Sequence, residues 1–264
     1  SGNKDTCTAV VTVVDAMPPT TLCQDITVYL DVNGIAVIDS SDVDNGSSDN
    51  CGIATMTLSQ DTFRCAEVGT VNVTLTVTDV NGNVGTCVST VTVLDLIKPV
   101  AMCKDTVVYL DATGNVTIDP TYVDNGSYDS CSVSLAISNS TFDCTDIGAN
   151  SVTLTVTDPS GNISVCTSVV TVLDTTAPVA ACKAITVNLN AIGAVSITPA
   201  DVNDGSSDNC AIDSMTISMS DFTCADTGAN NVEFIVTDAS GNKDTCTAVV
   251  TVVDAMPPTT LCQD

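Results

Sequence analysis

Residues 1–25, SGNKDTCTAVVTVVDAMPPTTLCQD, recur letter for letter as residues 240–264. Within that long period runs a shorter one: PPTTLCQDITVYLD around Cys23, KPVAMCKDTVVYLD around Cys103, APVAACKAITVNLN around Cys182 and PPTTLCQD around Cys262, at steps of 80, 79 and 80 residues. Self-similarity at a fixed period marks an array of small units. The expected organisation is the last strand of a preceding module over 1–14, modules over 15–94, 95–173 and 174–253, and the start of another over 254–264. The duplicated flanks read as a window on a longer chain or a head-to-tail polymer, so that the first partner of the protein is itself.

A module of about 80 residues buries a thin core and usually needs staples. Fourteen cysteines are available. Four recur per module, Cys23, Cys51, Cys65 and Cys87, then Cys103, Cys131, Cys144 and Cys166, then Cys182, Cys210, Cys224 and Cys246, with Cys7 and Cys262 in the flanks. Such a framework belongs to an oxidising, extracellular or cell-surface setting. With no histidine and no CxxC pair, zinc and thioredoxin-type chemistry are poor readings. The net charge of −26 leaves no basic surface for nucleic acid. Nearly all the acid is aspartate, which favours turns and hard cations, whereas glutamate favours helices. No apolar run is long enough to span a membrane.

Period-two alternation announces strands. In Val71-Asn72-Val73-Thr74-Leu75-Thr76-Val77-Thr78 the aliphatic residues face one way and Asn and Thr the other. Ile26, Val28 and Leu30 do the same, as do Val91 and Val93 with Val170, Val172, Val250 and Val252. Turn residues place hairpins at Asp31-Val32-Asn33-Gly34 and Asp111-Ala112-Thr113-Gly114, and again at Asp79 to Asn83, Asp158 to Asn162 and Asp238 to Asn242. About seven short strands per module is the count of an immunoglobulin-like sandwich. Short proline linkers, Asp15 to Pro19, Asp95 to Pro99, Asp174 to Pro178 and Asp254 to Pro258, fix φ between modules. The fold class expected is therefore all-β: tandem immunoglobulin-like β-sandwich modules set end to end as a rod.

A proline-led start, Cys in the first strand, DNC before the third, Phe-x-Cys, then Gly-x-x-x-Val-x-(Leu/Phe)-x-Val-Thr-Asp-x-x-Gly-Asn and a last Cys resemble the hyalin repeat (HYR) module over essentially the whole chain. Bacterial immunoglobulin-like adhesin repeats share the VTDxxGN turn and the DTTAP linker. The resemblance implies an extracellular adhesive or structural module without catalysis. It also implies that the first and last cysteines pair, here Cys23–Cys87, Cys103–Cys166 and Cys182–Cys246. The two extra cysteines per module depart from the family. Pairing them as Cys51–Cys65, Cys131–Cys144 and Cys210–Cys224 would staple the two ends of one hairpin. A rival pairs cysteines 16 apart, Cys7–Cys23, Cys87–Cys103, Cys166–Cys182 and Cys246–Cys262. The strand from Cys87 to Asp95 spans roughly 26 Å, against Cα separations below about 7 Å in disulfides, so the pattern internal to each module is preferred.

In a sandwich, two loops and the arriving linker share one pole, and each of those segments carries Asp. Module one offers Asp15 from the linker, Asp44 and Asp49 from VDNGSSDN, and Asp79 from the VTDVNGN turn. Module two repeats them as Asp95, Asp124, Asp129 and Asp158. Module three offers Asp174, Asp204, Asp208 and Asp238, with Asn203 where Asp44 stood, and Asp254 opens the last linker. Neighbouring carboxylates raise one another's pKa unless a cation intervenes, and Ca²⁺ takes six to eight oxygens of this kind. The competing reading is that Asp, Asn and Gly simply make turns. Sequons at Asn45, Asn72, Asn115, Asn125, Asn139 and Asn162 offer sites for covalent glycans, and Asp174-Thr175-Thr176 offers an O-linked one. Phe63, Phe142 and Phe222 read as core plugs beside a cysteine, and the tyrosines form no stacking platform for sugars. The function expected is a structural repeat of an extracellular filament or adhesin stalk, stiffened by calcium and disulfides. The alternative is a ligand- or glycan-binding repeat array on a cell surface; nothing in the residues suggests an enzyme.

Overall fold

The computed structural model describes residues 1–257. The first repeat contains β1 (Ile26–Tyr29), β2 (Ile35–Val37), β3 (Ile53–Leu58), β4 (Thr62–Arg64), β5 (Gly69–Asp79) and β6 (Val84–Leu94). The second contains β7 (Thr106–Tyr109), β8 (Asn115–Thr117), β9 (Ser134–Ile137), β10 (Thr141–Asp143), β11 (Gly148–Thr157) and β12 (Ile163–Leu173). The third contains β13 (Ile185–Asn188), β14 (Ala194–Ser196), β15 (Ile212–Ile217), β16 (Asp221–Thr223), β17 (Gly228–Asp238) and β18 (Lys243–Val253). The chain is thus all-β in three sheet repeats. By internal contacts it divides into two compact units. One holds Ser1–Ala101, Gly126–Leu135 and Thr155–Val165; the other holds Met102–Asn125, Ala136–Leu154 and the chain from Cys166 onward.

Each repeat pairs a four-stranded sheet, in order β1-β6-β5-β3, β7-β12-β11-β9 or β13-β18-β17-β15, with a two-stranded one, β2-β4, β10-β8 or β14-β16. β1 lies parallel to β6, with Ile26 opposite Val91 and Tyr29 opposite Leu94; β5 is antiparallel to both neighbours. The alternation read from the sequence is the core. Val73, Leu75 and Val77 on β5 and Val91 and Val93 on β6 are fully buried against Phe63 of β4, and Val232, Phe234, Val236, Val250 and Phe222 repeat this in the third repeat.

Six strands per repeat form rather than about seven. The leading segment forms no strand of its own: it pairs through isolated bridges, Thr20 to Ser48 and Cys23 to Asp44, with Asn45 N–H donating to the Leu22 carbonyl and Gln24 N–H to the Val43 carbonyl. The Asp31–Gly34 turn closes through Asp31 N–H to the Ile35 carbonyl, yet it does not make a hairpin: β1 pairs with β6 and β2 with β4, so the chain crosses from one sheet to the other there. Asp79 to Asn83 does close the β5–β6 hairpin.

Cys23–Cys87, Cys103–Cys166 and Cys182–Cys246 are bonded as the resemblance implies. The remaining expectation is overturned. Cys65 bonds Cys131 and Cys144 bonds Cys210, at Cα separations of 5.3 and 5.4 Å. The pairing therefore joins successive repeats, and neither Cys51–Cys65, Cys131–Cys144, Cys210–Cys224 nor the 16-residue spacing occurs among the described residues. The physical reason is sheet membership. β3 belongs to the four-stranded sheet and β4 to the other, so Cys51 stays at the near pole, where the linker arrives beside the β5–β6 turn. Cys65 follows β4 to the far pole, beside the β1–β2 turn. Cys7, Cys51 and Cys224 are free; Cys262 lies outside the described residues, as does the linker from Pro258 onward.

Candidate metal centres

Each linker begins with the same local device. The carboxylate Oδ1 of Asp15, Asp95, Asp174 and Asp254 accepts the backbone N–H two residues on, from Met17, Ile97, Thr176 and Met256. That turn sends the chain toward its prolines and leaves Oδ2 to its surroundings. On Asp15, Oδ2 accepts from Asn81 Nδ2 at 3.0 Å. On Asp95 and Asp174 it is buried and has no partner.

The last turn of each repeat grips the linker. Asp79 Oδ1 accepts from Asn81 N–H and Asn83 N–H, both at 2.8 Å, and Oδ2 from Asn83 Nδ2 at 2.7 Å. The same amide also reaches the Asp15 carbonyl at 3.3 Å. Asn162 and Asn242 do likewise for the Asp95 and Asp174 carbonyls, at 3.1 and 3.2 Å. Burial alone would raise the Asp79 pKa, but the Asn83 side chain and the turn N–H groups together hold it below the usual carboxylate value. Asp15 is lowered as well, first by the Met17 N–H and then by Asn81. The Asn of VTDxxGN thus does more than turn the chain. Its role was not legible beforehand because it acts on a carbonyl more than sixty residues away.

Three acidic groups gather ligand atoms within 4.8 Å of one another: Asp15, Asp49 and Cys51; Asp95, Asp129 and Cys131; Asp174, Asp208 and Asp238. Asp49 and Asp208 each fix their loop by accepting two backbone N–H groups on one oxygen, from Cys51 and Gly52 and from Cys210 and Ala211. The other oxygen of Asp208 is buried without a partner, and so is Oδ1 of its neighbour Asn209. Asn209 is held in place by its Nδ2, which donates to the Asp111 carbonyl and to Asp174 Oδ1, both at 3.2 Å. Around Asp174 there are therefore three orphan oxygens, Asp174 Oδ2, Asp208 Oδ1 and Asn209 Oδ1, with the Asp238 carboxylate beside them. Asp174 and Asp238 are almost fully covered.

Buried polar atoms are nearly always paired, and an orphan carboxylate oxygen costs more than a neutral one. An all-oxygen set of this kind is what a hard divalent cation takes. At the second pole the sulfur of Cys131 is in a disulfide and is no ligand for such an ion, which leaves Asp95 and Asp129, with Asp158 in the adjoining turn. At the first, Cys51 is a free thiol whose pKa is raised by its hydrogen bond to Asp15, by desolvation and by the charges of Asp15, Asp49 and Asp79.

The other candidates lie elsewhere in the same loops. Asp44 accepts from Ser47 and Gly46 N–H and stands in the bridge to Cys23; Asp124 stands in the bridge to Cys103. Asn203 takes that place opposite Cys182 and binds Ser206. Asp204 is exposed and its N–H bonds the Ala181 carbonyl, the position of Asn45 opposite Leu22. Asp254 is exposed. Of the sequons, Asn45, Asn72, Asn115, Asn125 and Asn139 are exposed, whereas the Asn162 amide is engaged by Asp95 and Asp158.

Neither a family model nor a curated protein matches the chain. Among solved structures it is similar to three EC domains of mouse cadherin-23, at 14% identity over 90% of this chain and 99% of that one, with a TM-score of 0.33. It is similar to three immunoglobulin domains of titin at 11% identity, over 90% and 100%, with a TM-score of 0.38. Sidekick-1 immunoglobulin domains 1–5 share 9% identity over 91% and 60%, with a TM-score of 0.40. At these values the likeness adds nothing to the fold read from the strands themselves. No helix among the described residues is long and apolar enough to cross a membrane.

Proposed function

We propose that the chain is a structural repeat of an extracellular filament or adhesin stalk, in which HYR-like modules over 15–94, 95–173 and 174–253 are joined by disulfides and stiffened by calcium at their acidic poles. The observation that carries the calcium reading is the set of orphan buried oxygens on Asp95, Asp174, Asp208 and Asn209. Asp174, Asp208, Asp238 and Asn209 would hold the ion at one pole, and Asp95 and Asp129 at another. The bonds Cys65–Cys131 and Cys144–Cys210 support a tensile role, because each fastens one repeat to the next. Five disulfides support an oxidising, extracellular or cell-surface location.

Thermal melting and small-angle scattering in excess Ca²⁺ and in EDTA test the reading. Calcium at a hundredfold excess over its Kd adds about 2.7 kcal/mol to the folded state. Melting temperature and scattering should therefore both differ between the two conditions. Identical curves would remove calcium from the function.

A further inference from the structure

The two bonds between repeats share one local design, and the molecule carries each half of that design once more without its partner. The socket half is a cysteine that follows a short strand and leans on a left-handed glycine in the turn between the first two strands of its repeat. Cys65 leans on Gly34, Cys144 on Gly114 and Cys224 on Gly193; the glycine φ values are 71°, 75° and 75°. A Cβ on any of these glycines would meet that sulfur, at 2.9, 2.6 and 2.7 Å. The plug half is the cysteine after Asp49, Asp129 or Asp208, whose N–H is fixed by that carboxylate at 2.8 Å in all three repeats.

Where the socket is filled, the plug's backbone closes over it. The same Cβ on Gly34 would also meet Ser130, and on Gly114 the carbonyl of Asn209 at 2.7 Å. Cys65 and Cys144 sulfurs lie 3.5 and 3.7 Å from the Ser130 and Asn209 carbonyls. At Gly193 nothing but Cys224 is met, although the sulfur keeps its place 3.7 Å from the Gly193 carbonyl, as Cys144 does from Gly114 at 3.6 Å. Cys224 and Cys51 are exposed, whereas Cys65, Cys131, Cys144 and Cys210 are covered or half-covered. Both bonds in place span 66 residues.

We infer that Cys224 is a preformed socket for the Asp49–Cys51 plug of a second copy of this chain, and that the two thiols form a disulfide equivalent to Cys65–Cys131 and Cys144–Cys210. The inference deepens the filament reading and rests on it. The oxidant is a small-molecule disulfide such as oxidised glutathione. The Cys224 thiolate attacks one of its sulfurs, giving a mixed disulfide and releasing one glutathione thiolate. The Cys51 thiolate of the second copy then attacks the Cys224 sulfur and releases the other. Two protein thiols are oxidised, one glutathione disulfide becomes two thiols, and the two protons pass to the released glutathione.

The test uses two full-length variants that each keep only one of these thiols, C7S/C51S/C262S and C7S/C224S/C262S. Incubated with oxidised glutathione at about pH 8, the mixture should give a heterodimer, with a Cys224–Cys51 peptide on unreduced mapping. Because docking raises the effective concentration of the pair, it should form roughly tenfold or more faster than either homodimer. Homodimers forming as fast as the heterodimer, or only glutathione-capped monomers, would overturn the inference. Calcium-dependent melting that survives such a failure would leave the calcium reading intact and remove this bond alone.

Discussion

Asp174 does two things at once, and only one of them is local. Its Oδ1 shapes the linker turn, as the order of residues suggests, but its Oδ2 is buried without a partner. The substitution Asp174→Asn keeps the turn acceptor and removes the charge. In EDTA the variant is expected to melt at or above the parent temperature, since an uncompensated buried charge worth about 1–3 kcal/mol is gone. In calcium it should lose most of the stabilisation the parent gains. Acid provides a second residue-scale check. Asp31, Asp79, Asp111 and Asp143 have folded pKa values lowered from 3.8 by hydrogen bonds from their own turns. A depressed carboxylate contributes stability above its unfolded pKa and loses it as pH falls through the folded one. The melting temperature should thus hold steady down to about pH 5 and drop progressively below 3.8, and a fall beginning near neutrality would contradict these assignments. The carboxylates of the poles were legible in the sequence because turn residues of three segments recur in step. Asn209, Asn162 and Asn242 were not, because an amide reveals its role only through the distant carbonyl it reaches.

At the scale of the element, one sequence appears in two contexts. NKDTCTAVVTVV forms β18 over Lys243–Val253 with β17 and β13 alongside, while as residues 3–14 it forms no strand and Val10, Val11, Val13 and Val14 are exposed. Strand formation here is tertiary, as the context dependence of β-propensity implies. Periodicity picked out β1, β5, β6, β12 and β18, yet it could not say which strands would share a sheet, and the pairing of the two extra cysteines per module failed on that point. Two substitutions test the packing so revealed. Phe142→Ala opens a cavity in a core where the ring is 2% exposed and should destabilise the second repeat by about 3–5 kcal/mol. Gly114→Ala places a Cβ against Cys144 and Asn209 at a positive φ. It should cost about 1–3 kcal/mol and make the Cys144–Cys210 bond easier to reduce than Cys65–Cys131 in a dithiothreitol titration read by peptide mapping.

At the scale of the whole molecule, each repeat is thin: a four-stranded and a two-stranded sheet enclose one phenylalanine from the short strand and a few rows of valine. Closing a loop of about 65 residues stabilises by roughly 4 kcal/mol in the chain-entropy model, and two of the five loops cross a linker. Reducing and alkylating the protein should therefore lower the melting temperature more than severing the three bonds within repeats alone. Calcium at the acidic poles is the part of the proposal that neither sheet nor sulfur tests. The most direct measurement is the calcium retained by the folded chain after dialysis against a trace-calcium buffer at neutral pH, counted by elemental analysis in the parent and in Asp174→Asn/Asp208→Asn. The expected result is bound calcium in the parent, at the pole of Asp95 and at that of Asp174 and Asp208, with the latter lost in the double variant. A parent that retains no calcium, or a double variant that retains as much, would contradict it.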